Sequence, residues 1–172
     1  MEALSKLKGL AHQSLMDMVD ELKTNLKYHA LVDPGLAIGS AAPEKILITN
    51  TTTYLHNGVF KSKGTAETAF TATTHDIPCH ATLVQEACYL VCLNATGTVT
   101  IHMGEIATGS GNALLPEIPA GLTPLGYLRL AVAAGTTPTD DFTAATDSLA
   151  ETWLTDTYVS LGFLSPRFDA AQ

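Results

Sequence analysis

The chain has 172 residues, enough for one domain with an appendage. Its residues are 46% hydrophobic and only 15% charged, a composition too apolar for a disordered chain. Its net charge is −8, and residues 1–33 hold four of the nine basic and five of the seventeen acidic residues. The chain beyond residue 33 therefore has five basic and twelve acidic residues, a balance that excludes a basic patch for binding nucleic acid. No segment has the ~20 apolar residues of a membrane span, and the first residues lack the apolar core of a signal peptide, so we expect a cytosolic product without a membrane partner.

The N-terminal segment has the one sustained helical period in the sequence. Apolar residues recur every three to five positions over residues 2–31, with charged residues between them, which predicts an amphipathic helix. Asp33-Pro34-Gly35 ends it, because proline disfavours helix in the residue before it. We interpret residues 1–33 as a helical arm, packed on its own domain, joined to sister subunits, or docked on another protein. Its expected oligomer or capsid interface consists of Leu4, Leu7, Leu15, Met18, Leu22 and Leu26.

Short strands replace the helical pattern after a linker of small residues at 34–45. The first predicted strands are 46–49, 51–56 and 59–63. The last two flank Asn57-Gly58, a pair that tolerates the positive φ angles of a type I′ hairpin turn.

The rest of the chain continues in the same manner. Residues 87–94 and 98–103 predict a second hairpin, and the Gly- and Pro-rich stretch 104–124 predicts a long loop. Strands follow at 125–132 and 157–161, with a competing helical turn at Ser148. About seven strands over residues 46–164 predict a mainly β protein, a β-sandwich or barrel preceded by the N-terminal helix, with 165–172 as a tail.

The search for chemistry gives no catalytic residue, no cofactor site and no metal site. No serine lies in a G-x-S-x-G turn. The run Gly109-Ser110-Gly111 resembles part of a phosphate loop, but it follows no clear strand and leads into proline instead of a helix. His75, Asp76 and His80 cluster in sequence without a second ligand pair.

The three cysteines are Cys79, Cys88 and Cys92. The last two lie about 13 Å apart along one predicted strand, too far for a disulfide. We therefore expect buried, unpaired thiols.

Three segments of the β region resemble virion structural proteins of tailed bacteriophages. They are Leu47–Lys63 (LITNTTTYLHNGVFKSK), Thr98–Met103, and Ala113–Thr137 (ALLPEIPAGLTPLGYLRLAVAAGTT), and the segment Asp140–Leu161 is similar to the closing part of such chains. The likeness covers roughly residues 35–161.

This resemblance implies a capsid decoration, or cement, protein that is not an enzyme. It would form a homotrimer and bind the major capsid protein. It would be located on the capsid surface of a virion that is assembled in the host cytoplasm. The alternative is a head or tail fibre module that adsorbs to host glycans, where Tyr54, Tyr127 or Trp153 could hold sugar. A cryptic hydrolase or a carbohydrate-binding domain ranks behind both.

Overall fold

The computed structural model of the protein describes residues 13–14, 16–17, 27–39, 45–70, 75–135, 142 and 154–160. These residues confirm a mainly β protein. The strands are β1 (Tyr28–Ala30), β2 (Leu36–Ile38), β3 (Lys45–Ile48), β4 (Thr52–His56), β5 (Val59–Lys63), β6 (Ala66–Ala69), β7 (Gln85–Leu93), β8 (Val99–Met103), β9 (Ala107–Thr108), β10 (Thr123–Val132) and β11 (Leu154–Ser160).

The strands form three antiparallel sheets. Their orders are β1-β4-β5, β2-β3-β6 and β11-β10-β7-β8, with β9 pairing with β7 beside β8. The described residues hold eleven strands and no closed barrel, so the barrel alternative and the count of about seven are wrong. The extra strands are mostly short ones of two to four residues.

The two longest strands, β7 and β10, pair along their length at the centre of the largest sheet. Every residue of β7 after Gln85 is buried, which matches the continuous apolar run that predicted this strand. The register of β10 shifts between Pro124 and Gly126, a bulge that increases the local twist. A Cβ atom on Gly126 would lie 2.3 Å from the Val159 carbonyl oxygen, so glycine is needed where β11 approaches.

All three sheets contribute to one hydrophobic core. Its largest fully buried side chains include Tyr54, Tyr89, Phe142, Ile46, Leu128 and Leu130. Each such side chain contributes about 1.5–3 kcal/mol through removal of apolar surface from water. The core therefore fixes the sheets, and their edges and loops carry the exposed groups described below.

The Asn57-Gly58 turn has the conformation that the sequence predicts. Asn57 has a φ of 53° and Gly58 a φ of 75°, as a type I′ turn requires. His56 pairs with Val59 directly across the turn. The turn is confirmed, and it sets the register of β4 and β5.

The N-terminal segment differs in part from the predicted helix over 2–31. Residues 13–14 and 16–17 are helical, and the Gln13 side chain donates to Asp17 Oδ1 at 3.0 Å. Tyr28–Ala30, by contrast, forms β1 along β4, with the Tyr28 ring 5.2 Å from that of His56. Pairing with a distant strand outweighs the local helical period here. No helix among the described residues is long and apolar enough to cross a membrane.

The linker expected at 34–45 also contains a strand. Leu36–Ile38 pairs with β3, and the Leu36 amide donates to the Ser160 hydroxyl at 2.9 Å. Small residues in this stretch do not prevent pairing because the partner strand supplies the hydrogen bonds.

Candidate functional site

The predicted interface residues of the arm, Leu4, Leu7, Leu15, Met18, Leu22 and Leu26, lie outside the described residues. Of the aromatic residues considered for sugar binding, Tyr54 is buried at 1% exposure, so stacking on a sugar is excluded there. Tyr127 is half-buried, and Trp153 lies outside the described residues.

His75 belongs to a buried aromatic cluster. Its ring lies 5.6 Å from Phe70 and 5.9 Å from Tyr89, both edge to face, and the Tyr89 hydroxyl donates to the His75 carbonyl at 2.7 Å. Burial lowers the pKa of His75, and the charge of His102 lowers it further, against opposing effects of an Ile101 backbone hydrogen bond and Asp76. These contacts make His75 a packing residue of the core.

The other histidine of the sequence cluster is separately engaged, since the His80 Nδ1 accepts the Thr82 amide at 3.3 Å. Within the described ranges, no three His, Cys, Asp or Glu side chains come together as metal ligands.

Two of the three cysteines, Cys88 and Cys92, are free thiols on β7. Cys88 and Cys92 are buried and Cys79 is half-buried. Burial raises the pKa of Cys88, and raises that of Cys92 to about 12, so neither is a thiolate near neutral pH. Their burial on β7 confirms that they act as small apolar side chains.

A buried carboxylate, Glu86 on β7, organises the loop that follows β9. The residue is 2% exposed. Its Oε2 accepts the amides of Gly111 at 2.9 Å and Ala113 at 3.2 Å. Its Oε1 lies 3.1 Å from Arg129 Nε, an ionic contact without the alignment of a hydrogen bond. We call this arrangement of Glu86, Arg129, Gly111 and Ala113 the Glu86 clamp.

The clamp explains the Gly109-Ser110-Gly111 run. Gly109 and Gly111 have φ angles of 94° and 86°, a region that favours glycine. The loop holds a carboxylate of its own chain where a phosphate loop would hold a phosphate. The Gly111 and Ala113 amides therefore already have an anionic partner.

The clamp also presents Leu114 to solvent. The carbonyl of Ala113 accepts Arg129 Nη2 at 3.3 Å and the Cys88 thiol at 3.5 Å, so both backbone groups of Ala113 are held. Ala113 is 6% exposed, whereas Leu114 is 71% exposed. A fixed backbone thus carries an apolar side chain outward at a defined position.

Leu114 lines an open cleft of about 470 Å³. Its apolar walls come from Met103, Ile106, Leu114, Leu115 and Pro116. A Cβ atom on Gly104 would lie 2.7 Å from the Leu114 carbonyl oxygen, so glycine allows the two sides of the cleft to approach. We call this feature the Leu114 cleft.

Two exposed apolar side chains lie on opposite faces of β5, the outer strand of its sheet. Val59 is 57% exposed and Phe60 71% exposed. Phe60 pairs with Leu55 in the register, so their side chains share one face of the sheet. Strand residues at a sheet edge can contact another chain by side chain and backbone together.

A smaller cleft of about 280 Å³ adjoins the clamp. Its polar lining includes Ser110, Arg129 and Thr157 beside Glu86. Glu86 is already paired with three donors, and the described residues that line this cleft include no histidine. The Glu86–Arg129 ion pair thus forms part of the wall of this cleft.

Sequence reasoning did not identify Glu86, Phe60 or Leu114. The available signal for Glu86 was one acidic residue at the start of the apolar run 87–94. Compared with known protein families, curated proteins and solved structures, the chain matches none.

Proposed function

We propose that this chain is a non-enzymatic structural subunit that attaches to a larger protein assembly through exposed apolar side chains. The observation that carries the proposal is the exposure of Phe60 and Leu114, each 71%, on parts of the chain held by strand pairing and by the Glu86 clamp. Apolar surface that stays exposed on a rigid framework is typical of protein interaction sites. Preorganisation favours binding because little conformational freedom is lost on association.

We further propose that the assembly is a phage capsid and that the chain decorates its outer surface. Support comes from the resemblance of 47–63, 98–103 and 113–137 to virion structural proteins. Phe60 falls within the first of these segments and Leu114 within the third. Copies that bridge neighbouring capsomers would add buried area and stabilise the assembled shell by mass action. The partners would be further copies of the chain and the major capsid protein.

Mass spectrometry of gradient-purified particles tests this role. We expect the chain in the particles at a fixed ratio to the major capsid protein. Particles stripped of the chain should release their contents at lower temperature, and purified chain should restore their stability. Absence of the chain from intact particles would overturn the capsid role.

A paired variant tests the surface that carries the proposal. Phe60→Ser with Leu114→Ser should fold, because both side chains are mostly exposed, but should fail to restore stripped particles. The control is Leu83→Ser, which alters a side chain 46% exposed outside the two surfaces. Full restoration by the double variant would contradict the assignment of these surfaces.

A further inference from the structure

The side chain of Asn57 is unrestrained compared with the other asparagines that the structure describes. Asn50, Asn94 and Asn112 each have their side-chain amide in hydrogen bonds of 2.7–3.2 Å. Asn57 is exposed at the turn between β4 and β5, and no hydrogen bond joins its side chain to another described residue. Its amide group can therefore rotate toward its own backbone.

The glycine that follows Asn57 makes this side chain chemically vulnerable. When the backbone nitrogen of Gly58 attacks Cγ of Asn57, a succinimide ring forms and the side-chain nitrogen leaves as ammonia. Water then opens the ring at either carbonyl to give aspartate or isoaspartate, so the net reaction consumes a water molecule and releases an ammonia molecule. A side chain on the attacking residue would hinder ring closure, whereas glycine has none, and the space beside Gly58 is open. Asn57-Gly58 is the one Asn-Gly pair in the sequence.

The native turn holds the attacking nitrogen away from this reaction. The Gly58 amide donates its hydrogen to the Lys27 carbonyl oxygen at 3.0 Å. Asn57 has a φ of 53° in a turn that is closed by the pairing of His56 with Val59. Attack requires the nitrogen to lose this hydrogen and the backbone to turn toward Cγ, so the reaction proceeds from a locally opened turn.

The opening of the turn involves β1, because Lys27 directly precedes this strand. β1 has three residues and lies at the outside of its sheet, where β4 is its partner. The Tyr28 ring packs edge to face on His56 with ring centroids 5.2 Å apart, and Lys27 Nζ lies 5.6 Å from the Tyr28 ring centroid. Elements with few buried contacts open at a lower free energy than the core does, so the Tyr28 contact helps to hold Lys27 at the turn.

We propose that Asn57 is a site of spontaneous deamidation and that the docking of β1 on β4 sets the rate. In the succinimide the Gly58 nitrogen carries no hydrogen, so its bond to Lys27 is lost. Isoaspartate adds a carbon atom to the main chain of the turn and displaces the pairing of His56 with Val59, and either product adds a negative charge. The reaction needs no partner chain, so this modification is independent of the assembly role proposed above.

Peptide mass spectrometry of the full chain, incubated in mildly alkaline buffer, measures the reaction. We expect Asn57 to convert from an amide to an acid about tenfold or more slowly in the folded chain than in the chain unfolded by urea, because only opened turns react. Asn94, which is followed by Ala95, is the internal control and should react much more slowly than Asn57 in the unfolded chain. Equal rates at Asn57 in the folded and unfolded chains, no reaction of Asn57 in either, or an Asn94 rate equal to that of Asn57 would overturn the proposal.

Substitutions of Tyr28 test the role of β1. Tyr28→Ala removes the ring contact with His56 and should accelerate deamidation by about two- to tenfold, whereas Tyr28→Phe keeps the ring and should leave the rate unchanged. Equal rates in the two variants would contradict control by β1.

Hydrogen exchange of the unmodified chain gives a check that needs no substitution. The Gly58 amide, although exposed, should exchange slowly because it is bonded to Lys27. Urea below the unfolding transition should raise this exchange rate and the rate of Asn57 deamidation together. Exchange of the Gly58 amide as fast as in the unfolded chain would overturn the proposal.

Discussion

Replacement of Glu86 by glutamine should be the most informative single change in the Glu86 clamp. All three partners of the carboxylate are donors: two backbone amides and the Arg129 guanidinium. The amide of glutamine accepts through one oxygen only and turns its NH₂ group toward a donor. At least one charge-assisted contact is then lost, at a cost of about 1.5–3 kcal/mol.

The second part of the cost is the unpaired charge. The Arg129 side chain is 34% exposed, so water reaches it, and loss of its partner costs less than the ~3–5 kcal/mol of a fully buried pair. We therefore expect Glu86→Gln to lower the free energy of unfolding by about 3 kcal/mol in total, from these two contributions. If the free energy of unfolding decreases by roughly 2 kcal/mol for each molar of urea, the midpoint of urea unfolding falls by about 1.5 M.

Urea unfolding followed by circular dichroism measures this shift. The matched control is Glu67→Gln, which removes the surface pair with Lys45 at 3.3 Å, where both side chains are about a third exposed. That pair is worth about 0.5 kcal/mol or less. Amide exchange at Gly111 and Ala113 should also accelerate in Glu86→Gln alone. A Glu86→Gln midpoint equal to that of Glu67→Gln would refute the clamp.

Three further predictions concern the turn, the aromatic cluster and the core. Gly58→Ala should lower the free energy of unfolding in urea by about 1 kcal/mol, because φ is +75° at this position although the surrounding space is open. The control Gly64→Ala, also in open space but without positive φ, should have no effect. Equal effects of the two substitutions would contradict the turn assignment. Burial lowers the pKa of His75 below 6.5, so the unfolded chain takes up this proton first and the free energy of unfolding decreases as the pH falls below about 6.5. His75→Phe should make the free energy of unfolding less dependent on pH in this range. An unchanged pH dependence would contradict the burial of His75. Leu128→Ala, at a fully buried position, should lower the free energy of unfolding by about 3 kcal/mol, and a loss under 1 kcal/mol would show a looser core than described.

The elements that were predictable are those whose signal is local. The Asn57-Gly58 turn depends on two adjacent residues and was predicted with its type. The strand at 125–132 has a long apolar pattern and appears within β10.

The missed elements depend on partners far along the chain. β1 has three residues and exists because β4, 24 to 28 residues further along, pairs with it. Glu86 reaches Gly111 and Ala113, 25 and 27 residues away, and Arg129 on a neighbouring strand. Periodicity cannot report such contacts, because it describes one segment at a time.

The exposure of Phe60 and Leu114 was not predictable for a related reason. Alternation along a strand predicts two faces but not which face the rest of the protein covers. Phe60 is 71% exposed on an outer strand, although Leu55 on the same face is buried, and Leu114 points outward because the clamp holds Ala113. An apolar residue in a β pattern is normally assigned to the core.

The central claim is that Phe60 and Leu114 are exposed in the single chain and covered in the assembled state. A cryo-EM map of the purified assembly, at a resolution that shows side chains, tests it most directly. We predict that Phe60 and Leu114 each lie against another protein chain. A map in which both side chains face solvent would contradict the account.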